Sequence, residues 1–256
     1  DDLKETEQIK QDFNFLDEHY GGARPFELAI EIKDTSDNAW NIEMLKEIDS
    51  VQQYVEEVYG AEIHVSLVSL LKIMNRSANS GDPEAFVLPN SKSQMIKNRR
   101  ALRMLNEGKF IYNFIDSSER IMRLGGTMAD LGNNAIRSKN DSLISYMGLH
   151  TLGGKIEYKI TGTAYLLDKN MSYLSSSIIV GLAISILIVS LIIGLIYRSI
   201  AILVISIVTN VIPLIFIAGI MGYLGVELKI STAIIFTISF GIAVDDTSNP
   251  GTAAIP

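Results

Sequence analysis

The sequence contains no cysteine among its 256 residues, and its three histidines lie far apart at His19, His64 and His150. Without thiols, disulfide bonds and thiolate metal sites are excluded, although this leaves the cellular compartment open. The histidines lack the spacing of metal ligands. We therefore expect no metal and no other cofactor.

Motifs of common enzymes are also missing. There is no Gly-x-Ser-x-Gly nucleophile elbow, and residues 151–155 lack the outer glycine and the Ser/Thr of a phosphate-binding loop. No residue pattern in the first 170 positions indicates an active site. We therefore expect a protein that is not an enzyme.

Basic residues are outnumbered by acidic ones in residues 1–170, which carry 20 Lys and Arg against 26 Asp and Glu, a net charge of −6. Nucleic-acid binding depends on clustered basic side chains that neutralise phosphates, so no nucleic-acid partner is expected. The one basic cluster contains Lys97, Arg99, Arg100 and Arg103. We interpret it as a solvated helix face, with a basic docking patch as the alternative.

Charge of either sign almost disappears after residue 170, and long apolar runs replace it. The run at 178–197 has 20 residues and no charge, so as a helix it would measure about 30 Å and cross a bilayer. The sequence therefore predicts a bundle of three transmembrane helices. Their approximate bounds are 175–197, 200–224 and 228–247, followed by a polar tail at 248–256.

The predicted spans are joined by very short loops. Arg198 is the one charged residue between the first two spans, which favours a cytoplasmic position for that loop. Residues 1–170 then lie on the periplasmic or extracytoplasmic side of a multi-pass protein of the inner (plasma) membrane. The missing N-terminal Met and early apolar run lead us to expect a piece of a longer protein.

Residues 1–170 alternate between helical and strand-like patterns. A strand, a helix and a second strand occur twice in succession, which predicts a split βαβ, ferredoxin-like α+β domain. Thr35-Ser36-Asp37 offers N-cap chemistry ahead of the clearest helix. The predicted helices are at 1–20, 42–58, 93–106 and 133–147, the strands at 26–32, 62–70, 121–130 and 155–163, and a loop at 75–92.

Two adjacent acids, Asp245 and Asp246, end the last apolar run. Asp245 would lie about 24 Å along a helix from Lys229, within a hydrocarbon core of about 30 Å. Ionised carboxylates are costly there, and acids inside membranes are usually functional. Burial and the neighbouring like charge suit the pair to exchanging protons. The alternative is that the acids only mark the exit of a helix into a polar tail.

Other polar and small residues in the apolar runs are interpreted as structural. Asn210 and Pro213 predict a kink with a satisfied polar contact, rather than a substrate site. Gly219, Gly222 and Gly241 are sites where another helix could approach closely.

The run from Ile160 to Asp246 resembles the resistance-nodulation-division (RND) superfamily of transporters, especially its predicted-exporter branch. It is similar also to mycobacterial lipid exporters and Patched-like proteins. The motif Phe15-Leu16-Asp17-Glu18-His19-Tyr20-Gly21-Gly22 and the two βαβ units are similar to a porter domain. The other matching pieces are Tyr197-Arg198-Ser199, Asn210-Val211-Ile212-Pro213, Gly219 to Gly225, Ser231-Thr232-Ala233 and Gly241 to Thr247.

The resemblance implies a secondary active transporter of the proton-antiport type, with the proton as its coupling ion. The three spans would be the second, third and fourth helices of one half, and the acids 245 and 246 its proton relay. Substrates in this branch are lipidic or hydrophobic. A second half of the transporter is missing here. Members act as monomers or as homo-oligomers, and some work with a periplasmic adaptor.

Two features depart from the family pattern: residues 248–251 break the fourth helix where it usually continues, and the second half is absent. Three other functions remain open. The chain could be a sterol- or lipid-sensing membrane module, a protein-export auxiliary of the same superfamily, or a membrane-anchored extracytoplasmic interaction domain.

Overall fold

The computed structural model describes residues 6–105 and 109–224, together with 232, 234, 235, 237, 238 and 241. The chain separates into two compact units, the first ending at Leu166 and the second beginning at Leu167. In chain order the elements are α1 (Gln8–His19), β1 (Arg24–Ile32), α2 (Ile42–Tyr54), β2 (Ala61–Val65), α3 (Leu67–Ala78), α4 (Lys92–Met104), β3 (Ile121–Met128), α5 (Asn133–Leu149), β4 (Ile156–Thr161), α6 (Thr163–Tyr197) and α7 (Ile200–Tyr223).

The four strands form one antiparallel sheet in the order β2-β3-β1-β4. Strand β1 pairs with β3 and with β4, and β3 pairs with β2. Because β1 and β2 are both antiparallel to β3, they run parallel to each other on either side of β3. Likewise, β3 and β4 are both antiparallel to β1, so they run parallel to each other on either side of β1. Each βαβ unit is therefore split by a strand of the other. The predicted α+β class is confirmed.

One face of the sheet is covered by helices. Alternate residues of β1, from Phe26 to Ile32, are buried, as the period of two requires of a strand with one apolar face. They join one apolar core with the buried sides of α2, α3 and α5. The helix residues of this core include Met44, Leu45, Ile48, Val51, Leu67, Val68, Leu71, Ile136, Leu143 and Met147.

The predicted strand at 62–70 is wrong in its second half. Strand β2 ends at Val65, and α3 begins at Leu67. The Ser66 hydroxyl accepts a hydrogen bond from the Ser69 N–H at 3.3 Å and so caps the helix. Alternation misled the prediction because Val65 and Leu67 are both apolar although they belong to different elements.

The N-cap of α2 and the end of α3 also differ from the prediction. Helix α2 is capped by Asn41, whose side chain accepts from the Glu43 N–H at 2.9 Å, and not by residues 35–37. Asp37 supports that cap by accepting from Asn41 Nδ2 at 2.6 Å. Helix α3 extends into the predicted loop because the buried Asn75 donates to the carbonyls of Ala85 and Val87. Side-chain hydrogen bonds therefore decide both features: local bonds at Asn41, and bonds to the following loop at Asn75.

Two helices follow the sheet. Helix α6 begins two residues after β4 ends, and Gly162 between them has φ +90. A Cβ at that position would lie 2.9 Å from Glu27 Cβ, so glycine also permits a close approach. The predicted break is confirmed, since α6 ends at Tyr197 and α7 begins at Ile200. The third predicted span and the tail at 248–256 lie outside the described residues, apart from a few isolated positions.

Adjacent glycines of β3 provide a matched test of the packing. A Cβ on Gly126 would meet the backbone carbonyl of Glu62 in β2, whereas one on Gly125 would lie no closer than 3.7 Å to any neighbour. We expect Gly126→Ala to lower the free energy of unfolding by about 1–3 kcal/mol because β2 must shift. Gly125→Ala should change it by less than about 1 kcal/mol. Urea unfolding followed by the fluorescence of Trp40, the single tryptophan, measures both; equal losses would contradict the prediction.

Candidate functional site

Helix α6 has the length and composition of a membrane span. Among the described residues, only its segment Thr163–Ile196 is long and apolar enough to cross a bilayer; the segment Val211–Tyr223 of α7 is apolar but shorter. Only 6% of the most apolar window of α6 is buried within the protein. Leu187, for example, is 63% exposed. Apolar surface of this extent is unfavourable in water, and the described residues leave it uncovered.

The predicted structural residues of the second span lie in α7. The helix runs through Asn210 and Pro213 without interruption. Because proline has no N–H, the carbonyl four residues earlier loses its helical hydrogen bond. Around Gly219, Gly222 and Gly241, no heavy atom of the described structure would lie within 4 Å of an added Cβ. Their predicted role in helix packing therefore requires a neighbour beyond the described residues.

The predicted proton relay, Asp245 and Asp246, lies outside the described residues, so the relay remains a prediction from sequence. Two serines of α6 differ in their hydrogen bonding. The Ser185 hydroxyl donates to the Gly181 carbonyl at 2.9 Å, one turn earlier. Ser190 is buried, and its hydroxyl has no hydrogen-bond partner among the described residues.

The basic cluster on α4 is partly a structural ion-pair site. Arg99 binds Glu119 through two nitrogens, one of them Nε at 3.2 Å, and Arg103 Nη2 donates to Glu119 Oε1 at 2.6 Å. Glu119 is buried and has a positive φ of 55. The Arg99 guanidinium also lies 5.8 Å from the centre of the Trp40 ring. These two arginines are therefore engaged in an ion pair that the solvated-face interpretation did not include, although the Arg103 side chain remains 55% exposed.

A cluster of titratable side chains that sequence reasoning missed joins α2, α5 and β4. His150 Nδ1 lies 2.7 Å from Glu47 Oε1, and the His150 ring lies 4.3 Å from that of Tyr146. Tyr146 also stacks on Tyr54 at 4.0 Å. The Tyr158 hydroxyl is buried without a hydrogen-bond partner among the described residues, and burial together with the Glu47 charge raises the pKa of Tyr158.

The titratable cluster is interpreted as packing rather than as a site. The described surface hollow of about 420 Å³ lies elsewhere, along the polar side of α5. Its lining comes from that single helix, so no groups from different elements converge on it. The lining residues are Asn134, Arg137, Ser138, Asp141, Ser142 and Ser145. The spacing of Tyr146 and His150 by one helical turn was the only signal in the sequence for the titratable cluster.

The sheet face opposite the helices carries cross-strand ion pairs. Arg123 of β3 lies 2.8 Å from Glu27 of β1. Next to it, Lys33 Nζ lies 2.6 Å from Glu157, and Lys159 Nζ lies 2.9 Å from the same carboxylate. The hydrogen bonds from Lys33 and then Lys159 lower the pKa of Glu157 to about 2. Such exposed pairs stabilise a sheet modestly and are weakened by salt.

Glu157 makes the stability of the sheet unit depend on pH. Its pKa is lowered from 4.5 to about 2 on folding, so its contribution is complete above pH 4.5 and is lost as the pH falls through about 2. We expect the urea midpoint of Glu157→Gln to lie below that of the wild type at pH 7, and the two midpoints to converge towards pH 2. Trp40 fluorescence measures both midpoints.

The control for this experiment is Glu84→Gln, since Glu84 is exposed and forms no ion pair with a described residue. Its difference from the wild type should stay nearly constant between pH 7 and pH 2. A pH-independent difference for Glu157→Gln as well would show that the lysine pairs contribute nothing.

The sequence matches no protein-family model and no curated protein. A function is therefore supported only by the residue pattern of the chain and by its structure. The structure contributes the split sheet, the exposed apolar helix α6 and its direct connection to β4.

Proposed function

We propose that the chain is part of a proton-motive-force-driven exporter of the RND type that moves lipidic or hydrophobic compounds. The observation that carries this proposal is the path of the chain from β4 into α6. A 35-residue helix, about 52 Å long, begins two residues after the sheet ends, and α7 follows it after two further residues. An α+β domain is thus joined without a flexible linker to consecutive apolar helices.

The sheet topology supports the porter-domain part of the proposal. Two βαβ units, each split by a strand of the other, form the ferredoxin-like arrangement implied by the resemblance. In this proposal residues 1–170 are extracytoplasmic, and the chain crosses the inner membrane three times. The motif at 15–22 has a local reason as well: Asp17 Oδ1 accepts the N–H of Ala23 at 3.0 Å and that of Asp130 at 3.2 Å. These bonds tie the end of α1 to the sheet.

The proposed mechanism places proton exchange at Asp245 and Asp246. Protonation removes a charge from a region of low polarity, and deprotonation restores it, so the two states favour different helix packings. Alternation between these states would be coupled to rearrangement of the porter domain. Transport of this type requires a second half of the transporter, and a homo-oligomer or a periplasmic adaptor would complete the assembly in some branches.

A sterol- or lipid-sensing module is the second candidate, because sensing domains share this helical bundle and the Gly-x-x-x-Asp neighbourhood. An RND-type protein-export auxiliary is the third. Both would also place an extracytoplasmic domain before the apolar helices. Asp245 and Asp246 discriminate between these two candidates and an exporter, because only proton-coupled transport requires that the two acids titrate.

We expect Asp245→Asn and Asp246→Asn, each introduced into the full-length protein, to reduce proton-coupled export to background. Asparagine preserves the size of the side chain but cannot take up and release a proton. Efflux of a hydrophobic fluorescent dye and the accompanying proton flux, both measured in vesicles, report the loss.

The matched control is Glu227→Gln, which neutralises an acid predicted to lie between the second and third spans. It should leave export unchanged. Unchanged export and unchanged proton flux in the two Asp variants would disprove the relay. Retained ligand binding with a lost response would instead identify a sensor.

A further inference from the structure

The outer surface of α4 differs in charge from the rest of its unit. Helix α4 contains five Lys and Arg and no Asp or Glu, whereas residues 1–170 carry six more acids than bases. A patch of opposite sign on an acidic domain indicates a surface that meets something anionic.

The outward side chains of α4 combine cations with apolar groups. At 100° per residue, these side chains fall within an arc of about 140°, opposite the buried Met95 and Leu102. Ile96 is 68% exposed and Met104 71% exposed. The arc therefore places two protruding apolar side chains between cations. In order around the helix it contains Lys92, Arg103, Ile96, Arg100, Ser93, Met104 and Lys97.

Contacts on the buried side hold α4 with this arc outward. Gln94 Nε2 donates to Asn75 Oδ1 at 2.8 Å near the start of the helix. Glu119 binds Arg99 and Arg103 near its end. The pair with Glu119 offsets the charge of Arg103.

Three cations of the arc are exposed and lack an ion-pair partner among the described residues: Lys92, Lys97 and Arg100. The contacts on the buried side therefore present a fixed pattern of three exposed cations around Ile96 and Met104.

We propose that the outward face of α4 binds the surface of a bilayer that contains anionic lipids. Lys92, Lys97 and Arg100 pair with lipid phosphates, while Ile96 and Met104 enter the boundary between headgroups and acyl chains. This combination of basic and apolar side chains on one helix face is typical of interfacial membrane contacts. The inference rests on the proposed function, because the membrane-spanning helix α6 is what keeps a bilayer within reach of the chain.

The absence of cysteine allows a direct test with single spin labels. The full chain carrying a nitroxide at Met104→Cys is placed in nanodiscs of phosphatidylcholine, alone or mixed with phosphatidylglycerol. We expect the mixed lipid to raise collisions of the label with oxygen and to lower those with a neutral nickel chelate. Adding Lys92→Gln, Lys97→Gln and Arg100→Gln should restore the pattern seen in phosphatidylcholine alone. A label at Leu149→Cys, 82% exposed on α5, should respond to neither lipid.

A label at Leu187→Cys in α6 separates the two proposals. If this label lies in lipid but the label at 104 stays accessible to nickel in both nanodiscs, the bilayer contact is overturned and the membrane span stands. Accessibility of position 187 to the nickel chelate would overturn both proposals. Immobilisation of the label at 104 by added polyglutamate, without any response to lipid, would also overturn the bilayer contact and assign the face to an acidic protein.

Discussion

The sheet unit depends on the burial of one side of β1 against the helices. The side chains of Phe26, Leu28, Ile30 and Ile32 are almost fully buried. Because successive side chains of a strand point to opposite faces, this burial also commits Glu27 and Glu31 to the other face. A register shift of one residue would bury these carboxylates and expose the apolar set, so the register is strongly specified.

The central position of β1 explains the rest of the architecture. It pairs with β3 on one side and β4 on the other, so it belongs to the first βαβ unit and also joins the two strands of the second. The carboxylates on its outer face then meet cations: Glu27 pairs with Arg123 of β3, and Glu31 pairs with Lys33, which directly follows β1. The helical face contributes apolar burial, and the open face contributes ion pairs that depend on pH and salt.

Buried polar groups add hydrogen bonds and ion pairs to the apolar contacts of α3 and α4. Asn75 holds the loop after α3, and Glu119 holds α4. A buried carboxylate that is left without its cations is costly, so Glu119 selects the side of α4 that faces inward. The outward basic face of α4, on which the bilayer contact is proposed, is therefore a consequence of this internal pairing.

Local patterns in the sequence were enough to predict the α+β class, the bounds of β1, α2, α5 and β4 to within a few residues, and the break between α6 and α7. These features depend on periodicity, glycine and length, which act over a few neighbouring residues. The proton relay at Asp245 and Asp246 also comes from sequence alone and remains a prediction.

Tertiary contacts decided what periodicity could not. The end of β2 and the cap at Asn41 depend on polar side chains that bond to backbone N–H groups. The length of α3 depends on Asn75, which bonds to the carbonyls of the following loop. In the basic cluster, Arg99 and Arg103 bind Glu119, which lies 20 and 16 positions away in the sequence. Because only folding brings its carboxylate to the arginines, the sequence pattern could not show which cations of the cluster are paired.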